Sequence, residues 1–285
     1  MLTTLLFTFA LALPAQDQPK PPPDPKRIDA AVTELTTAFG KDGTSETRAA
    51  AIKNNVEVVD GKVIALIVKG LDDKDPAVEA AAVDALGHMA HPDSLKALHA
   101  LYKKDKAKLK DDEQMFPLVL RSIARQGSPS SVEILLDDPF AQRSHDAIRA
   151  RILGLGNIKS KASVEGLISL LSMAGAQKLD GYMDDFRLSF GHLTGQDKGP
   201  DPAAWQKWWQ DSKDKYEMPA TAPDLAPEQK RNWNRYWGNA GKRDKEGGEE
   251  GGKKDRKKGE GKGEGKGEGK GKDKRDGGGK DGGGR

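Results

Sequence analysis

The sequence predicts an all-α protein: an α-solenoid of about four helix pairs, an aromatic helical cap and a disordered tail. Three observations carry this. Apolar residues recur at helical spacing through residues 27–239, and strand-like alternation is absent. The turns are short and carry helix-start residues. Most telling, one pattern repeats: ALGHMAHPDSLKAL (85–98), SIARQGSPSSVEIL (122–135) and GLGNIKSKASVEGL (154–167). Each string holds the end of one helix, a polar loop and the start of a second. With Ser94, Ser131 and Ser163 as equivalents, and Lys62 in a degenerate first copy, the intervals are 32, 37 and 32 residues. Two helices per such period cannot bury an apolar face alone, so neighbouring units must stack.

The elements follow in order. The first pair is expected at 45–57 with 61–71, the second at 76–89 with 94–104. A third is expected at about 112–126 with 129–136, a fourth at 144–157 with 162–173. Val78, Ala82, Leu86 and Met89 lie on one helical face, as do Leu95, Leu98 and Tyr102, and Ile148, Ile152 and Leu155. Asp75-Pro76 and Ser128-Pro129 read as an N-cap followed by proline at the first helical position; Ser130 with Glu133 offers a capping box one register on. Pro117 makes the third pair start late or kink. The five extra residues of the longer interval fall in the Lys-rich KKDKAKLKDDE, read as a loop insertion. The solenoid is assigned 27–176 and the cap 177–239.

The two ends are different in kind. Residues 1–15, MLTTLLFTFALALPA, read as a signal peptide: Leu2–Leu13 is apolar but too short to span a bilayer, and Pro14-Ala15 precedes a polar stretch. No Lys or Arg lies ahead of the apolar run. A buried N-terminal helix is the alternative. Residues 16–26 form a Pro-rich linker expected to be extended. Residues 241–285 hold only Gly, Lys, Arg, Asp and Glu: 18 glycines, 16 basic and 11 acidic residues, a net +5. The rest of the chain, with 31 basic and 33 acidic residues, carries −2. With no apolar side chain beyond Ala240, the tail (240–285) has nothing to bury and reads as a flexible coil. The whole-chain +3 therefore sums two unlike parts. The absence of cysteine excludes disulfides, thiolate zinc sites and a cysteine nucleophile.

LDDKDPAVEAAAVDALGHMAHPDSLKALHALYKKD (71–105) resembles the HEAT repeat, in particular the short bacterial form typified by phycobilisome-lyase-like repeats. The acidic loop, the Val-x-x-Ala-Ala core, the Leu-Gly before the turn and the Leu-x-x-Leu second helix all match. Glu79 stands where the family often has Arg. The resemblance covers about 45–173 and implies a stacked-helix scaffold; lyase activity is not implied. FGHLTGQDKGPDPAAWQKWWQDSKDKY (190–216) resembles the ending of exported bacterial HEAT-repeat proteins. Trp205, Trp208 and Trp209 share one helical face, and Trp233 and Trp237 share another. One reading has these rings cap the open apolar end of the solenoid. The other makes them an aromatic platform for sugar or peptide.

Candidate chemistry is sparse. His88 and His91 are three apart, but Pro92 follows, and they read as solvent-facing or capping residues. His99, His145 and His192 are isolated in sequence. Asp72-Asp73-x-Asp75 lacks the glycine and terminal glutamate of a calcium loop, and Asp184-Asp185 is a second acidic cluster. Gly154-Leu155-Gly156 ends a helix rather than opening one after a strand, so it is no dinucleotide fingerprint. No Gly-x-Ser-x-Gly turn exists. The expectation is no catalytic residues, no metal and no cofactor. The favoured function is an exported, non-catalytic protein-interaction scaffold whose groove holds a protein or peptide. The alternative is an envelope or polyanion-binding protein acting through its tail. In the tail, interleaved acids weaken attraction to an acidic polymer, and missing aromatics argue against nucleic acid.

Overall fold

The computed structural model describes residues 22–140, 144–176 and 180–239. The expected leader at 1–15, most of the linker and the tail lie outside the described residues. Among these there are twelve α-helices, three short 3-10 turns and no strand.

Helix α1 (Pro25–Ala38) begins inside the stretch expected to be an extended linker. The reason is local. Asp24 accepts a hydrogen bond from the Lys26 N–H at 3.1 Å, and Pro25 takes the first helical position. So the last proline of the run starts a helix instead of extending the coil. Its buried Ala31, Leu35 and Ala38 cover the first helix pair, α2 (Ser45–Asn54) with α3 (Gly61–Val68).

The second pair is α4 (Pro76–His88) with α5 (Pro92–Lys110). The third is α6 (Met115–Arg125) with a 3-10 turn and the short α7 (Val132–Leu136). The fourth is α8 (His145–Asn157) with α9 (Lys161–Ala176). Capping follows the expected residues. Asp75 accepts from the Ala77 N–H at 2.9 Å, and Ser128 from the Ser130 N–H. Pro117 does delay its helix: α6 starts at Met115, and the Asp112 carboxylate accepts from the Gln114 and Met115 N–H groups.

One expectation is corrected. KKDKAKLKDDE is not a loop insertion. It continues α5 to Lys110 through a kink at Asp105 (φ −113°, ψ 16°). Its lysines fasten neighbouring units: Lys104 pairs with Asp72, Lys106 with Asp137 and Lys110 with Asp138. Buried Leu109 anchors the extra turn.

The helices form two rows. In the first, α2, α4, α6 and α8 each stack on the next. Their contacts use small residues. A Cβ added to Gly87 would come within 2.7 Å of the Ser122 Cβ, and one added to Gly156 within 2.7 Å of the Ser189 Cβ. Ser94, Ser131 and Ser163, the equivalents read from sequence, are each fully buried at the start of a second helix. A buried Arg151 ties the third and fourth units together. Its guanidinium donates to the Ile134 and Leu135 carbonyls and stands over the Phe116 ring.

The first row does not stop at α8. Helix α10 (Met183–Thr194) stacks on α8 as α8 stacks on α6, and α11 (Pro202–Ser212) packs beside α9 and α10. Ser189 thus takes the register of Ala85, Ser122 and Gly154. The segment assigned to a cap opens with a fifth helix pair.

Candidate functional site

The five tryptophans separate into two groups on opposite sides of α10. Phe190 and His192, two positions apart on that helix, point away from each other. On the Phe190 side, Trp205 stacks at 3.7 Å between centroids and its indole N–H donates to the Gly199 carbonyl. Trp209 donates to Glu165 on α9. Trp208 packs edge-on to Trp205 and against Tyr216, and keeps partial exposure. This group lies against the last helices of the stack.

The second group lies elsewhere. Helix α12 (Pro227–Trp237) follows residues 213–226, a stretch without regular helix. It runs back across the flank of the first row. Trp233 stacks on His192 of α10 at 3.8 Å. Tyr236 lies under Arg149 of α8, and Arg125 of α6 stands over Trp237 and donates to its carbonyl. The capping reading puts all five rings at the end of the solenoid; Trp233 and Trp237 instead hold α12 against its side. Trp205, Trp209, Trp233 and Trp237 are buried. The rings are spent on packing, which is why they do not form one exposed platform.

Between α12 and the first-row helices α6, α8 and α10 runs a cleft of about 1020 Å³. Its lining is charged with both signs. Glu113, Asp146, Asp184 and Glu228 come from just before α6 or from the first turns of α8, α10 and α12. Carboxylates are at home at helix starts. Arg121, Arg149, Arg187 and Arg235 come from farther along the same helices, and Tyr236 and Leu118 add apolar area. Arg149 holds both oxygens of Asp185 at 3.0 and 3.1 Å, and Arg187 reaches Asp197 at 2.6 Å. Burial pushes the Asp185 carboxyl up, against the pull of Arg149. Burial likewise raises the Tyr236 hydroxyl, although Arg121, Arg149 and Arg125 stabilise its anion.

The histidines and the acidic loop are elsewhere. His88 pairs with Asp84, and the His91 ring accepts from the Asp93 N–H to cap α5. His99 bonds buried Ser131. In the DDKDP loop each acid is committed: Asp72 to Lys104, Asp73 to Arg48 at 2.6 Å, Asp75 to the α4 cap. Arg48 accordingly holds the Asp73 carboxyl below its usual range. Among the described residues no histidine, serine, threonine or lysine lines the cleft. Sequence reasoning does not bring the cleft residues together, and of its charged residues picks out only Asp184 and Asp185, because the walls come from four separate segments spread between Glu113 and Tyr236.

Stacked helix pairs with repeated small-residue contacts define an α-solenoid repeat protein. A family model for HEAT repeats matches residues 32–115, from α1 to the first residue of α6, and supports a HEAT-repeat domain in this chain. The later pairs extend the same stack beyond that match. No curated protein matches the chain.

Proposed function

We propose that this protein is a non-catalytic interaction scaffold, and that a segment of a partner protein lies in the cleft between α12 and the first helix row. One observation carries the reading: a two-signed cleft built across three stacked repeats and closed on one side by α12. HEAT repeats commonly serve as protein-interaction scaffolds, which supports it. We further propose the phycobilisome-lyase-like short form of the repeat, on the strength of residues 71–105, and export, on the strength of the apolar leader and the LTG…Trp-x-x-Trp-Trp ending. The runner-up places contact in the basic tail, with an acidic polymer as partner.

Photo-crosslinking in the full chain separates the readings. A crosslinking residue replacing Leu118, in the cleft, should join one protein, and the same residue at exposed Lys62 should not. A crosslink obtained only from the tail, and abolished by salt, overturns the scaffold reading in favour of the tail. Export is checked by the mature N-terminus, expected at Gln16; a retained Met1 in the cytoplasmic fraction overturns it.

A further inference from the structure

The four cleft arginines are not equivalent. Arg149 and Arg187 each have a carboxylate at hydrogen-bond distance. Arg121 does not: among the described residues its nearest carboxylate oxygen, on Asp84, is 3.9 Å away, and its Nε–H is buried with no acceptor. The same Asp84 oxygen is shared with Arg125, at 3.5 Å, whose Nη1 is also buried without a hydrogen bond. The Trp237 indole N–H beside Arg125 is a third buried donor without an acceptor. Across the cleft, the only hydrogen bond that Arg235 makes among the described residues is to the neutral Asn232 side chain, at 3.3 Å. Arg121 and Arg235 thus line the cleft from α6 and α12 with no carboxylate at hydrogen-bond distance among the described residues.

Guanidinium groups hold five donors in a fixed fork and cannot shed their charge. Their natural complement is a carboxylate, which offers two acceptor oxygens in matching geometry. Building on the interaction reading above, we propose that Arg121 and Arg235 form an anchor for a single carboxylate of the partner polypeptide. The other charges on the cleft limit what can bring it. Glu113, Asp146, Asp184 and Glu228 line the same cleft, so a ligand with closely repeated negative charge meets repulsion along its length. An isolated carboxylate flanked by neutral or basic residues fits both halves. It comes from an Asp or Glu side chain or from a chain terminus.

The test uses the full chain and labelled twelve-residue Gly/Ser/Lys peptides in fluorescence anisotropy. One has a single central Glu and an amidated end, one has Gln there, one has Gln with a free C-terminus, and one has six Glu. The Glu peptide or the free-terminus peptide should bind about tenfold tighter than the amidated Gln peptide, and which of the two does so identifies the carboxylate. Arg121→Gln and the exposed-site Arg235→Gln should each shrink that ratio severalfold, with an unchanged circular dichroism melt. Arg121→Glu should invert it for a peptide carrying Lys at the centre. Equal binding of all peptides, a ratio untouched by both Gln variants, or tightest binding of the six-Glu peptide would overturn the anchor. If the Leu118 crosslink persists in those cases, the scaffold reading stands without it.

Discussion

At the scale of single residues, the first-row contacts set the tightest constraint. Gly87 exists because α4 and α6 approach too closely for a Cβ. An alanine methyl would sit 2.7 Å from the Ser122 Cβ and 2.8 Å from its Cα, and a backbone atom cannot yield as a flexible side chain can. Gly87→Ala should therefore destabilise the protein by about 1–3 kcal/mol, the cost of overpacking a well-fitted contact. Ser122→Gly in the same chain should restore part of that loss, because it removes the clashing Cβ and Oγ and leaves only the Cα. Gly61→Ala is the control: nothing lies within 4 Å, and it should be near neutral. Urea unfolding of the wild type, Gly87→Ala, Ser122→Gly and the double variant gives the coupling, which should exceed about 0.5 kcal/mol for residues in contact. Additive effects would mean that the two helices separate freely. The Leu-Gly that ends α4 and α8 is visible in the sequence, but its partner serine is not. Ser122 and Ser189 look like ordinary polar helix residues until the neighbouring glycine is laid against them.

At the scale of elements, the legible parts are those with local causes. N-caps and first-turn prolines act within four residues, so the starts of α4 and α11 can be read from Asp75-Pro76 and Asp201-Pro202. The extra turns of α5 cannot be read that way. They are dominated by lysines, and the distant Asp137 and Asp138, together with the burial of Leu109, give them a reason to be helical. Nor can the placement of α12, since Trp233 and Trp237 would suit an end cap as well as a flank. The contact that holds α12 to α10 makes its own prediction. Burial, with Lys159 as a lesser cause, lowers the His192 ring from 6.5 to about 4. The folded state thus favours the neutral ring, and the unfolded chain binds the proton first. This contribution to stability is fully present above about pH 6.5 and is lost as pH falls toward and through 4. An NMR titration should place the His192 midpoint near 4, with Trp233 fluorescence changing in the same range. A midpoint near 6.5 would show that the ring is not covered by α12.

At the scale of the whole molecule, each repeat touches mainly its neighbours, so damage should stay near where it is made. Trp205 tests this. It is fully buried, stacked on Phe190 and bonded to Gly199, and it joins α11 to α10. Trp205→Ala should cost about 3–5 kcal/mol, the usual penalty for removing a large buried ring. In a globule with one undivided core that cost would lower the protection of every amide together. In a stack it falls on the last units, because α2 to α5 keep all of their own contacts. Hydrogen exchange of the variant should show α10, α11 and α12 losing protection while α4 and α5 retain it. The cleft depends on those same last elements, with one wall from α12 and part of the other from α10. Trp205→Ala should then weaken partner crosslinking at Leu118, although neither Leu118 nor its helix has changed. Uniform loss of protection down to α2 would show instead that the five pairs fold as a single cooperative unit.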